Sequence, residues 1–203
     1  MEKSKEVIFW DWFSSVEEEF HADYMVVKSH PSAKTINIDR HNQELLTELH
    51  KVNPNIYFEI TYNKDRSINL TFTAEGMIEI FPAVDSLVDA APKFDRWKII
   101  ALRQRLHGDD FAVEYEAYNY ISYSDIFFQY STEHEEFGIQ LNIRDYDETG
   151  QMQNAIYLLL DNLIGEEDVA KKIDWIEWVS LDEELKDSLL PLIELRQLVD
   201  SIE

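Results

Sequence analysis

Asp161, Glu166, Glu167 and Asp168 form the densest group of side chains in this sequence that could do chemistry. If one helix ends at Gly165 and a short one begins near Glu166, Asp161 and one of these carboxylates face each other across the turn. Such a pair can hold a divalent ion or a basic side chain. The helix dipole also stabilises acidic residues in a first turn, which accounts for Glu166, Glu167 and Asp168 without any site. His107-Gly108-Asp109-Asp110 places oxygen ligands on a loop of the kind that holds Mg²⁺ or Mn²⁺, although such a run arises easily by chance in an acidic chain. The six histidines show no HxH or HxxxH spacing and none has the Ser/Asp context of a triad, so most are expected at surfaces or turns.

Other chemistries are excluded outright. The five glycines are spread singly, so neither GxGxxG nor GxxxxGK occurs, and GxSxG and HExxH are missing too. That removes nucleotide-loop enzymes, zincins and standard α/β-hydrolases. With no cysteine there is no disulfide scaffold, thiolate zinc site or cysteine nucleophile. No cofactor and no metal is implied. No apolar run approaches the ~18 residues of a membrane span. The N-terminal apolar run is broken at Asp11 and does not resemble a secretory signal, so a cytoplasmic protein is expected.

The charge is strongly asymmetric. The chain has 203 residues, with 18 Lys and Arg against 41 Asp and Glu and a net charge of −23. Phosphate binding needs the opposite sign, so no direct nucleic-acid partner is expected. Residues 1–105 hold 13 basic and 17 acidic side chains, whereas residues 106–203 hold 5 and 24. Charge of that density aids solubility and steers a basic partner towards the C-terminal half.

Hydrophobic periodicity supplies the framework. Phe9, Phe13, Val16 and Phe20 predict a helix over about 9–21, with Glu17, Glu18 and Glu19 on its outer side and Trp10 and Trp12 widening the apolar stripe. A polar loop with Pro31 and a short extended piece at Ile36–Ile38 follow. Leu45, Leu46, Leu49 and Val52 predict a helix from about His41. Ile56, Phe58 and Ile60, then Ile68, Leu70 and Phe72, alternate as a β-hairpin. A helix over about 79–91 uses Val84, Leu87, Val88 and Ala91, and Trp97–Arg103 follows as a strand. The order then recurs at an offset of about 70–75 residues. A weakly helical Asp109–Tyr118 precedes a hairpin through Ile126–Tyr130 and Phe137–Ile143. A strong helical stripe runs from Met152 to Leu163, Ile173–Val179 is a strand, and Asp182–Ile202 is helical apart from a break near Pro191. An α+β fold is expected, its sheet largely antiparallel with helices mainly on one face. One domain over residues 1–203 is expected, with similar halves at about 40–105 and 109–180 plus terminal helices.

Two stretches carry a family resemblance. Thr73-Ala74-Glu75-Gly76, Ile80-Phe81-Pro82-Ala83-Val84, Leu87-Val88 and Ala90-Ala91-Pro92, ending at Trp97, resemble a signature of a family of uncharacterised bacterial cytoplasmic proteins. Leu160-Asp161, Leu163-Ile164-Gly165-Glu166, Asp168-Val169 and Ile173 resemble its second signature. The resemblance spans roughly residues 40–180. It implies a bacterial, cytoplasmic origin and transfers no catalytic role, since the family has no assigned activity.

These observations favour a non-enzymatic interaction or regulatory protein that engages a basic protein partner through its acidic C-terminal half. Glu133, Glu135 and Glu136 in the turn, with Asp161, Glu166, Glu167 and Asp168, are the contact candidates. A polar sheet face carrying Tyr57, Glu59 and Asn69, with Asn142 and Arg144 on the second hairpin, is either the wet side of a sheet or a second binding surface. The competing reading is a metal-assisted hydrolase or small-ligand domain using Asp161, Glu166 and Asp168, with His107. A pocket of converging carboxylates would mark the enzyme, and a broad acidic surface the interaction protein.

Overall fold

The computed structural model describes residues 3–29, 38–108 and 110–202. The loop around Pro31 and most of the extended piece expected at Ile36–Ile38 lie outside these residues, as does Asp109. The fold is α+β, and the chain divides into two units, Met1–Leu102 and Arg103–Glu203. No described helix is long and apolar enough to cross a membrane.

In the first unit, helix α1 (Lys5–Ser29) and helix α2 (Ile38–Val52) both run longer than their apolar stripes suggest. Phe9, Trp10, Phe13 and Phe20 are buried, each contributing roughly 1.5–3 kcal/mol of burial free energy. The Trp10 indole N–H donates to the Leu87 carbonyl at 2.7 Å, so the ring is both packed and satisfied. Trp12 is only half-buried. Glu17 departs from the expected outward face. It accepts a hydrogen bond from the Trp97 indole at 2.9 Å and pairs with Arg96, because a buried indole needs an acceptor.

Strands β1 (Tyr57–Tyr62) and β2 (Ile68–Thr73) pair antiparallel, Phe58 opposite Phe72 and Glu59 opposite Thr71. In their turn Asp65 accepts from the Ser67 hydroxyl and amide, and these bonds, helped by Lys98, hold its carboxyl at about 2. A 3₁₀ turn leads into helix α3 (Phe81–Asp89), with Pro82 in its first turn where no amide proton is needed. Strand β3 (Trp97–Ala101) then runs parallel to β2.

The second unit opens with a correction. Residues expected to be weakly helical form a hairpin, strand β4 (Ala112–Glu116) pairing with β5 (Asn119–Ser122). Val113 and Tyr115 alternate with Glu114 and Glu116, a period-two pattern that half-buries one face, and the turn places Tyr118 at φ +70°. Strands β6 (Ile126–Ser131) and β7 (Gly138–Ile143) pair antiparallel. Helix α4 (Gly150–Ile164) ends at Gly165, whose φ of +94° suits glycine, and helix α5 (Glu166–Lys172) follows at once. Strand β8 (Trp175–Ser180) lies parallel to β7.

The C-terminal stretch is also not the expected interrupted helix. It forms a 3₁₀ turn, a two-residue strand β9 (Leu190–Pro191) on β6, a second 3₁₀ turn and helix α6 (Leu195–Asp200). Pro191 sits where a sheet tolerates proline, on an edge. The strands form three sheets, and four of the six described pairings are antiparallel. Each unit contains a hairpin, a helical connection and a strand parallel to the hairpin's second strand.

Gly138 shows why β7 needs a glycine. A Cβ built there falls 1.7 Å from an atom of the Trp175 ring, so the indole lies in the space a side chain would fill. Gly138→Ala is expected to push the ring off the strand, costing about 1–3 kcal/mol as overpacking does. Trp175 emission should shift to the red, and an unchanged spectrum would contradict this placement.

Candidate functional site

The carboxylates at 161–168 meet basic groups of their own unit. Arg103 Nη1 donates to Asp161 Oδ2 at 3.0 Å, and both side chains are 8% exposed. Glu166 clasps the Arg103 backbone, its Oε2 accepting from the Arg103 amide at 3.0 Å while its own amide donates to the Arg103 carbonyl at 2.9 Å. Arg105 reaches Asp168 at 3.1 Å, Asp200 at 2.6 Å and the Ile164 carbonyl at 3.1 Å. Arg196 donates to the Leu163 carbonyl. These arginines sit at the C-terminal end of α4, where unpaired carbonyls and the negative end of the helix dipole favour cations. Glu167 is exposed and pairs with Lys171. Of the two roles open to this constellation, the structure supplies the basic side chain, and supplies it from within.

The other sequence candidates are dispersed. His107 is exposed, and Asp110 accepts from the Phe111 amide. Glu133, Glu135 and Glu136 stand exposed on the turn joining β6 to β7. On the first unit, Asn69 accepts from Asn63 at 2.6 Å and donates to Thr61 at 3.1 Å, while Tyr57 is exposed and packs edge-on against His50. Glu59 is half-buried beside them. On the second unit, Asn142 is buried and donates to the Gln140 carbonyl, and Arg144 is held by Asp125 and Glu183, each at 3.0 Å.

The structure adds a cleft that no motif marks. It encloses about 510 Å³ and is lined by Tyr115, Tyr118, Asn119 and Tyr120 of the β4–β5 hairpin, with Asp125, Arg144 and Asp145 across from them. Tyr118 is 90% exposed and Tyr120 59%. The field around Tyr115 and Tyr120 is negative. Glu114 raises the Tyr120 pKa, and Tyr115 is raised by burial and then by Asp147, Glu116 and Asp145. Arg144 does not reverse that sign, because its two carboxylate partners offset it. Exposed tyrosine faces beside uncompensated carboxylates suit cationic groups, through cation–π contact and ion pairing together. Sequence reasoning missed both Tyr115 and Tyr120, because the hairpin that carries them was expected to be weakly helical.

Among the described residues, the donors of a potential metal centre converge elsewhere, at Glu19, Asp23 and His41 of the first unit. His41 is buried there, an exception to the expectation that most histidines lie at surfaces or turns. No protein-family model, curated protein or solved structure matches this chain.

Proposed function

We propose that this protein is a non-enzymatic interaction protein that binds a basic protein partner through residues 103–203, with the tyrosine cleft as the centre of contact. The observation that carries this reading is the surplus of carboxylates around exposed tyrosines. Residues 103–203 hold 7 Lys and Arg against 24 Asp and Glu. All seven basic side chains have internal contacts, with carboxylates, helix-end carbonyls or the Phe127 ring. The net field directed at solvent is therefore negative. Tyrosine offers a large contact area with little rotamer freedom to lose, which makes it a frequent anchor of binding surfaces.

The division of labour is testable with a lysine- and arginine-rich peptide as probe. Binding should weaken steeply as salt rises, since the Debye length shrinks from ~10 Å at 0.1 M to ~3 Å at 1 M. Glu133→Gln, Glu135→Gln and Glu136→Gln combined should slow association and leave dissociation nearly unchanged, as exposed steering charges do. Tyr118→Ala with Tyr120→Ala should instead speed dissociation, by about tenfold or more if the pair is an anchor of at least ~1.4 kcal/mol. Affinity indifferent to salt and to both variants would defeat the proposal.

A further inference from the structure

Three side chains of the first unit bring metal-type donors to one point. Glu19 and Asp23 stand one turn apart on α1, so both carboxylates leave the same helix face. Helix α2 sets His41 opposite them, and one donor atom from each residue lies within 4.8 Å of the others. His41 is 1% exposed, and its ring lies against Phe20 with centroids 4.2 Å apart. Its Nε2 is 2.7 Å from Asp23 Oδ2, while Nδ1 has no hydrogen-bond partner among the described residues. A buried, unpaired ring nitrogen is costly to the fold. The imidazole is therefore held in the core at some cost, with Nε2 directed at the Asp23 carboxylate. Asp23 is partly exposed and Glu19 largely so, which leaves an approach from solvent.

We propose that Glu19, Asp23 and His41 form a site for a divalent transition-metal ion, with Zn²⁺ the best match. One imidazole nitrogen and two carboxylate oxygens are donors that Zn²⁺ accepts, and three protein ligands leave a further position for water. The imidazole selects against Mg²⁺ and Ca²⁺, which prefer oxygen shells. Arg40 is the local competitor, 3.1 Å from Glu19 Oε1, but its Nε also lies 3.7 Å from Glu44 Oε1. Glu44 gives the guanidinium another partner when Glu19 turns to the cation. The sequence points to no metal because its ligands come from two helices, His41 lying 18 positions after Asp23, outside any local histidine spacing.

The test is calorimetric titration of the chelator-treated full chain with Zn²⁺, in an excess of Mg²⁺ to occupy dispersed surface carboxylates. The expected result is saturable binding of one ion, with a visible absorption band when Co²⁺ replaces Zn²⁺. Glu19→Gln and Asp23→Asn should each weaken binding by more than about tenfold, since even losing a partner behind a ligand costs roughly 10–100-fold. Glu184→Gln, at an exposed carboxylate of the second unit, should leave Zn²⁺ binding unchanged. His41→Gln should abolish binding, and if that core variant fails to fold, the two carboxylate variants on the solvent side carry the test. No saturable Zn²⁺ binding, or binding undiminished in both carboxylate variants, would overturn the proposal.

Discussion

Arg103→Met is expected to destabilise residues 103–203 by about 3–5 kcal/mol, the usual cost of leaving one member of a buried ion pair without its partner. Asp161 is the residue that loses this contact, held at 3.0 Å by Arg103 in surroundings where each side chain is 8% exposed. A carboxylate that loses a buried cation either keeps its charge with less compensation or takes up a proton, and both outcomes cost folding free energy. The expected observable is a lowered denaturant midpoint, followed through the tryptophans of this unit, Trp175 and Trp178. Asp161→Asn should act in the same direction. Combining Arg103→Met with Asp161→Leu should recover much of the loss, because replacing both charges by apolar groups removes the desolvation cost with the pair. An exposed control such as Glu184→Gln should stay within about 0.5 kcal/mol. Arg103→Met behaving like that control would mean that the arginine does not hold the turn between α4 and α5.

The same pair shows why sequence reading met a limit. Asp161, Glu166 and Asp168 stood out as a constellation, and the pause at Gly165 was readable from glycine's tolerance of positive φ. Their partners were not readable, because Arg103 and Arg105 lie about sixty positions upstream and helical spacing cannot reach that far. The fold class, both main hairpins and the stripe of α4 were legible because burial on one face imposes a period of 2 or 3.6 residues. The β4–β5 hairpin was lost for a physical reason. Glu114 and Glu116 suggested a solvated helix, whereas Val113 and Tyr115 are only half-buried and carry the alternation weakly. Strand β9 has two residues and no period at all. The grouping of Glu19, Asp23 and His41 exists only once α1 and α2 pack together, so it was beyond any motif.

Leu159→Ala should cost about 2–5 kcal/mol, the range for truncating a fully buried leucine where the surroundings relax only in part. Leu159 is fully enclosed, in the same buried cluster as Phe128, Ile139 and Leu141 from β6 and β7. The removed atoms lose their transfer free energy and leave a cavity between a helix and a sheet, neither of which can close without disturbing the other. Helix α3 supplies the contrast that makes the measurement sharp. Val84 and Leu87 are fully buried while Val88 is half-buried, so the helix turns Leu87 rather than Val88 to the core. Leu87→Ala should therefore fall in the same range as Leu159→Ala. Val88→Ala, with part of its side chain already in water, should cost about 1 kcal/mol or less. Denaturant midpoints for the three variants rank the positions directly. If Val88→Ala proves more damaging than Leu87→Ala, the buried face of α3 is rotated by one residue, about 100°, from the one described.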